Sequence, residues 1–302
     1  MMKIQHHQLR LFGDLNTKRA VNVASVNQYS PFRYPGGKTW LVPFVIQWLM
    51  HQPKRPADFI EPFAGGAIIG LTVAIEQLAQ HVTLVEIDEQ VSAVWKAIIY
   101  GDYQRLAQMI IDFELNQENV DRVLSSTYTS VEEQAFQTIL RNRVNRGGIL
   151  APGAGKVKNG ENGKGLKSRW YPQTLYRRII QIAKVRERIT FIQGDGLEFL
   201  EQSADRSDVL YFIDPPYTIA GKKAGSRLYT YSDIDHEKLF TIAERLKGEF
   251  LMTYDDTSTV REMASRHGFV TEVVTMKNTH HREMTELLIS RNLKWLSGSK
   301  SG

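Results

Sequence analysis

Apolar residues fall along this chain in short, unbroken runs separated by amphipathic stretches, the pattern of strands covered on both faces by helices. Ala57–Glu61 reads as a strand, Pro62-Phe63-Ala64-Gly65-Gly66 as a turn, and Ala67–Leu78 as an apolar helix. His81–Ile87 is the next strand and Glu89–Tyr100 the next helix. A second block reads strand Arg188–Gln193, helix Leu197–Glu201, strand Val209–Asp214, helix Asp235–Lys247, strand Glu249–Tyr254 and helix Ser258–His267. It closes with strands Phe269–Met276 and Thr285–Arg291. This order predicts an α/β fold with a Rossmann-like, doubly wound, mostly parallel sheet. Between the blocks lie helical stretches at Tyr103–Leu115, Val131–Arg141 and Pro172–Val185, and a glycine-rich basic loop, Asn142–Lys167, expected to be mobile. The expected division is an N-terminal extension (1–30), a sheet-bearing domain (31–100 and 188–296), an inserted, mainly helical lobe (101–187) and a tail (297–302).

The strand Asp208–Ile213 stops at Asp214-Pro215-Pro216-Tyr217. Two prolines cannot continue a sheet ladder, so the backbone leaves the sheet there as a stiff extended turn. Proline has no amide proton, so its carbonyl can face a pocket without a neighbouring donor competing for it. The tetrad therefore sets a carboxylate and a bare carbonyl beside an aromatic face. That set suits a planar base carrying an amino group: two acceptors for its N–H bonds and a ring to stack on.

A second candidate site lies where the first strand turns into its helix. The glycines of Glu61-Pro62-Phe63-Ala64-Gly65-Gly66 allow close backbone approach to a ligand at the carboxyl edge of the sheet. The G-x-G-x-x-G of a dinucleotide site is not present. Glu86 ends the second strand about twenty residues later, where a carboxylate accepts ribose hydroxyls. Arg33-Tyr34-Pro35-Gly36-Gly37-Lys38-Thr39 invites comparison with a P-loop, but Phe32 stands where the first motif glycine belongs and no apolar strand leads in. Lys38 is instead expected to meet a carboxylate near a helix start, with Tyr34 packing on a ligand.

Charge adds a partner. The net charge of +5 is uneven: Arg141–Arg188 holds 13 Lys/Arg against 2 Asp/Glu, and the remainder holds 25 against 31. A basic segment on an acidic body points to a polyanion. No cysteine is present, which excludes disulfides, thiolate metal sites and thiol nucleophiles and fits a cytoplasmic setting. No apolar stretch is long enough to cross a bilayer. His6-His7 and His280-His281 lack the spacing and acidic company of a metal site, so no metal is expected.

With these pieces in order, the chain resembles the Dam-like adenine-specific DNA methyltransferases. The resemblance runs from Ser30 to Asn292 on Tyr34-Pro-Gly-Gly-Lys38, Phe59-Ile-Glu-Pro-Phe-Ala-Gly-Gly66, Val85-Glu-Ile-Asp88, Gly194-Asp195, Asp214-Pro-Pro-Tyr217 and Phe250-Leu-Met-Thr-Tyr-Asp255. It implies a sheet of the class I methyltransferase type, a target-recognition role for the inserted lobe, and S-adenosylmethionine as cofactor. It implies a cofactor-binding set of Tyr34, Gly36, Gly37, Lys38, Glu61, Phe63, Gly65, Glu86, Asp195 and Asp214, with Glu86 on the ribose and Asp195 at the adenine end. Asp214, Pro215, Pro216 and Tyr217 become the catalytic set, acting on the N6 amine of a flipped-out adenine. The first loop departs from the commonest family pattern in lacking a further glycine after Gly66.

Double-stranded DNA is then the expected partner. Arg141, Arg143, Asn145 and Arg146 are candidates for contact with base edges or phosphates, joined by Arg169 and by Lys222 and Lys223 in a segment suited to closing over the base. A cognate restriction endonuclease is left open as a second partner, and a monomer or weak dimer in a bacterium or phage-infected cell is expected. Transfer to cytosine N4 or to a protein amide stands as the alternative chemistry, and a non-catalytic DNA-binding regulator as the alternative without turnover.

Overall fold

The computed structural model describes residues 21, 23–33, 37–151, 153–158, 163–216, 234–277 and 283–297. Seven strands form one sheet: β1 (Asp58–Glu61), β2 (His81–Glu86), β3 (Ile189–Gln193), β4 (Val209–Ile213), β5 (Glu249–Asp255), β6 (Val270–Lys277) and β7 (Glu283–Ser290), in the order β3-β2-β1-β4-β5-β7-β6. β1 to β5 pair in parallel, and β7 inserts antiparallel between β5 and β6. Every residue of β1 and β4 is buried, which is why both read as short runs without polar alternation. The chain winds outward from β1 to β3 on one side and from β4 to β6 on the other. The reversal falls between β1 and β4, and the crevice at such a switch point is where doubly wound sheets bind ligands.

Ten α-helices surround the sheet among the described residues. They are α1 (Val42–Met50), α2 (Ile68–Ile75), α3 (Glu89–Ile99), α4 (Tyr103–Asp112), α5 (Gln117–Ser125), α6 (Val131–Val144), α7 (Pro172–Ala183), α8 (Gly196–Ser203), α9 (His236–Arg245) and α10 (Ser258–Arg266). Side-chain caps start most of them: Asp88 for α3, Asp102 for α4, Asn116 for α5, Ser130 for α6, Asp195 for α8, Asp235 for α9 and Thr257 for α10. Two cores lie on opposite faces of the sheet. One joins α1–α3 to the inserted helices α4–α7 through Trp48, Trp95, Ile98, Leu106, Ile139 and Ile179. The other packs α8–α10 around Tyr211, Phe240, Phe250 and Tyr254.

The elements expected from the pattern are present, with shifted ends. α2 stops at Ile75, two residues before Gln77 adopts a left-handed conformation (φ 56°). α6 runs on to Val144, so the basic loop begins later than Asn142. That loop also contains order: a 3-10 turn at Arg146–Gly148, a bridge between Asn145 and Lys156, and a second 3-10 turn at Gly165–Arg169. α1 and α5 have no counterpart among the elements that the pattern predicts. No helix among the described residues is long and apolar enough to cross a membrane.

Candidate active site

Parallel strands deliver their carboxyl ends to one edge, and here that edge gathers acids. Glu61 is the last residue of β1, Glu86 the last of β2, and Asp214 follows the last residue of β4. β7 runs the other way, so its first half reaches the same edge, with Glu286 opposite Asp255 of β5. Lys38 arrives from the segment before α1, where it precedes the 3-10 turn Thr39–Leu41.

The β1–α2 turn is held from behind by these acids. Gly65 N donates to Glu86 Oε2 at 2.7 Å, and Asp88 N donates to Glu86 Oε1 at 2.8 Å. Gly70 N donates to Glu61 Oε2 at 2.8 Å. Trp95 Nε1 donates to Gly65 O at 3.0 Å, and Ala64 N to Val85 O at 2.9 Å. The turn needs left-handed backbone at Gly65 (φ 47°) and again at Ala67 (φ 49°). Ala67 thus carries the conformation that a further glycine would have made easy. Burial pushes the Glu86 carboxyl up to about 7 despite its backbone donors, and pushes Glu61 well above the usual carboxylate range, with Asp214 and Glu86 adding to the rise.

Around Asp214 the geometry is that of an oriented carboxylate. Lys38 Nζ lies 3.1 Å from Asp214 Oδ1, and Thr253 Oγ1 donates to the same oxygen at 2.7 Å. Lys38 and Thr253 are buried, whereas the Asp214 side chain keeps 21% of its surface exposed, so the acid faces the crevice with its supports behind it. Pro215 is buried and Pro216 half-buried. On the β3 side, Asp195 Oδ1 accepts from Leu197 N at 2.7 Å and Glu198 N at 3.2 Å, capping α8. A side chain at Gly196 would stand 2.3 Å from Pro62 O and 2.7 Å from the Phe63 ring, so this loop packs directly on the β1–α2 turn.

The structure thus brings Gly37, Lys38, Glu61, Phe63, Gly65, Glu86, Asp195, Asp214, Pro215 and Pro216 to one edge of the sheet. Tyr34, Gly36, Tyr217, Lys222 and Lys223 lie outside the described residues. Thr253, Glu286, Gly70 and Trp95 belong to the site, although the sequence alone does not single them out. Glu286 leaves one trace there, as an acid within the apolar run Thr285–Ser290.

Two of the candidates for DNA contact need correction. Arg143 is 5% exposed and donates to Pro31 O, and Asn145 is 6% exposed and donates to Ile149 O at 2.7 Å. Because α6 continues to Val144, Arg143 lies one turn after Ile139 on the inward face and spends a donor on the chain itself. Burial, with Arg178, Arg33 and Arg169 nearby, lowers the Arg143 guanidinium to about 9. Arg141 is half-buried and bonds Gln90 and Gln137, Arg169 is half-buried, and Arg146 is exposed. Arg146, Lys156 and Lys158, with Gln117 and Leu166, line a groove of about 690 Å³ on the inserted segment.

S-adenosylmethionine presents ribose hydroxyls and an ammonium as donors, and the buried groups at this edge are carboxylate acceptors, so the two sets match in kind. A doubly wound sheet with an antiparallel β7 inserted beside β5 has the architecture of the class I methyltransferases, and the family match that follows brings S-adenosylmethionine as cofactor. The model of the D12 class N6 adenine-specific DNA methyltransferase family matches residues 34–279, and the chain belongs to that family. Among solved structures it is similar to a candidate RNA methyltransferase from Pyrococcus horikoshii, at 12% identity over 96% of this chain and 96% of that one, with a TM-score of 0.38. It is also similar to a precorrin-6y C5,15-methyltransferase from Geobacter metallireducens, at 11% identity over 83% of this chain and 86% of that one, with a TM-score of 0.35. No curated protein matches the chain in sequence.

Proposed function

We propose that this enzyme transfers a methyl group from S-adenosylmethionine to the exocyclic N6 amine of adenine in double-stranded DNA, at a specific site. The family supports adenine in DNA as substrate. The observation that carries the reading here is the oriented, part-exposed Asp214 carboxylate beside Pro215, at the switch point of the sheet.

The amine of adenine is a poor nucleophile because its lone pair is delocalised into the ring. In this reading Asp214 and the Pro215 carbonyl each accept one N–H, drawing the nitrogen toward tetrahedral geometry and localising the pair. S-adenosylmethionine supplies a methyl group made electrophilic by its sulfonium. Lys38 and Thr253 keep the Asp214 carboxylate in one plane, so the acceleration comes from positioning and electrostatics. Asp214 need not deprotonate the amine beforehand: the nitrogen becomes strongly acidic only after it gains the methyl, and its proton leaves then. Glu86 and Glu61 hold the cofactor's donors and shape the turn that receives it.

A duplex hides the amine, so the base is rotated out at a cost of a few kcal/mol. Phosphate contacts from the inserted segment, residues 101–187, offset that cost. Arg141, Arg146 and Arg169, with Lys156 and Lys158 along the groove, are the candidate cations, a reading supported by the exposure of Arg146 and Lys158. The test is nucleoside mass analysis of duplex DNA after incubation with the enzyme and isotope-labelled cofactor. Label in N6-methyladenine is expected. Label in N4-methylcytosine, in protein or in no polymer would replace this reading with one of its alternatives.

A further inference from the structure

Glu286 sits in a strand whose next three residues, Leu287, Leu288 and Ile289, are fully buried and apolar, and the reaction set out above makes no use of it. Its side chain is 6% exposed, and its Oε2 stands 3.5 Å from the Lys38 ammonium, the same ammonium that lies 3.1 Å from Asp214 Oδ1. At 3.5 Å the Lys38–Glu286 contact is an ion pair at the outer limit of hydrogen bonding. A buried ammonium therefore lies between two carboxylates delivered by β4 and by the antiparallel β7. Removing the charge on the Glu286 side weakens the pull from β7 relative to that of Asp214, and the four-carbon lysine stem is flexible enough to follow.

We propose that Glu286 is a positioning residue for methyl transfer: it holds Lys38 at the distance from which Lys38 and Thr253 together fix the plane of the Asp214 carboxylate. The proposal rests on the role given to Asp214 above. Burial pushes the Glu286 carboxyl up to about 7, against the pull of Lys38, while Asp214 and Asp255 act in the same direction as burial. Among the described residues, the charged groups acting on it are Lys38 from the segment before α1, Asp214 from the end of β4 and Asp255 from β5. A protonated Glu286 cannot hold the ammonium electrostatically, so its grip on Lys38 weakens as pH falls through neutrality. Misplacing a reacting group by about 1 Å costs on the order of a hundredfold in rate, which sets the scale of the effect.

The decisive variant is Glu286→Gln, which keeps the volume and removes the charge. Single-turnover rates with saturating cofactor and DNA are expected to fall about 10- to 100-fold, with cofactor affinity changed by less than about threefold. The wild-type rate should decline on the acid side of neutrality and the variant's should not. In a double-mutant cycle, Glu286→Gln is expected to cost nothing further once Lys38→Met is present, because Glu286 acts through Lys38. If the Gln variant does not fold, Glu286→Asp takes its place, with a smaller loss and the acid-side decline retained. A readout free of turnover is the ¹³C carboxyl titration of Glu286 in the cofactor-free protein, which should move to higher pH in Lys38→Met. Unchanged single-turnover rates in the variant, independent losses in the cycle, or a Glu286 titration indifferent to Lys38 would each overturn the proposal. Failure of the wild type to methylate DNA would instead remove the role of Asp214 on which it rests.

Discussion

If Glu86 accepts the ribose hydroxyls as proposed, cofactor binding is coupled to a proton, and the coupling can be measured. Its carboxyl is raised to about 7 by burial, so near neutrality it is protonated in a large share of cofactor-free molecules. Ribose hydroxyls donate best to the ionised form. Binding should therefore release the proton, and apparent affinity should rise with pH until Glu86 is fully ionised. One pH unit below its midpoint the penalty is about tenfold in Kd, or about 1.4 kcal/mol. Titration calorimetry at pH 6 and pH 8 measures that ratio, and repeating it at pH 7 in buffers of low and high ionisation enthalpy counts the proton. Glu86→Gln should flatten the profile and weaken binding by about 1.5–3 kcal/mol, the range for hydrogen bonds to a charged group. Equal Kd values at pH 6 and 8 with no buffer dependence would show that no proton leaves Glu86 on binding. A profile flattened by Glu286→Gln but not by Glu86→Gln would reassign the proton.

The same two acids shape stability. Glu86 and Glu286 keep their protons in the folded protein up to about 7, whereas their ordinary value is 4.5. Between those values the folded state binds more protons than the unfolded chain, so this contribution is complete below pH 4.5 and is lost as pH rises to about 7. Chemical denaturation of the cofactor-free Glu86→Gln/Glu286→Gln protein should accordingly show a weaker decline in stability from pH 5 to 7.5 than the wild type. Gly70→Ala places a methyl 2.6 Å from Glu61 Oε2 and 2.5 Å from Leu84 Cδ2. It should cost about 1–3 kcal/mol in denaturant melts, as overpacking of a core does, and weaken cofactor binding by displacing Glu61. Arg146→Ala and Lys158→Ala should each lower the slope of log affinity against log salt by about 0.9 if each meets one phosphate, a change readable by fluorescence anisotropy on duplex DNA.

Much of the site is legible in the chain because local order places it. Glu61, Glu86 and Asp214 each end or follow an apolar run, and in a parallel sheet every such position falls on the same edge. Lys38 stands out through its two preceding glycines and a nearby helix start. Glu286 does not, because its place depends on β7 running antiparallel between β5 and β6, which nothing in its own neighbourhood announces. Thr253 is likewise one fully buried residue in a strand until β4 delivers Asp214 beside it. Arg143 and Asn145 mislead for a related reason: a segment rich in Arg and Asn does not mark the end of α6, and three further residues of helix, Asn142 to Val144, turn Arg143 inward. α1 begins with no side-chain cap and is apolar at almost every position, so it shows no amphipathic period, and α5 is mostly polar with Val120 as its one buried residue.

In the proposed reaction the Asp214 carboxylate, braced by Lys38 and Thr253, activates the adenine amine. Asp214→Ala, assayed by single-turnover methyl transfer to duplex DNA alongside equilibrium binding of DNA and cofactor, tests it most directly. Methyl transfer should fall below detection while DNA binding persists. Turnover near the wild-type rate in that variant would show that Asp214 does not activate the amine.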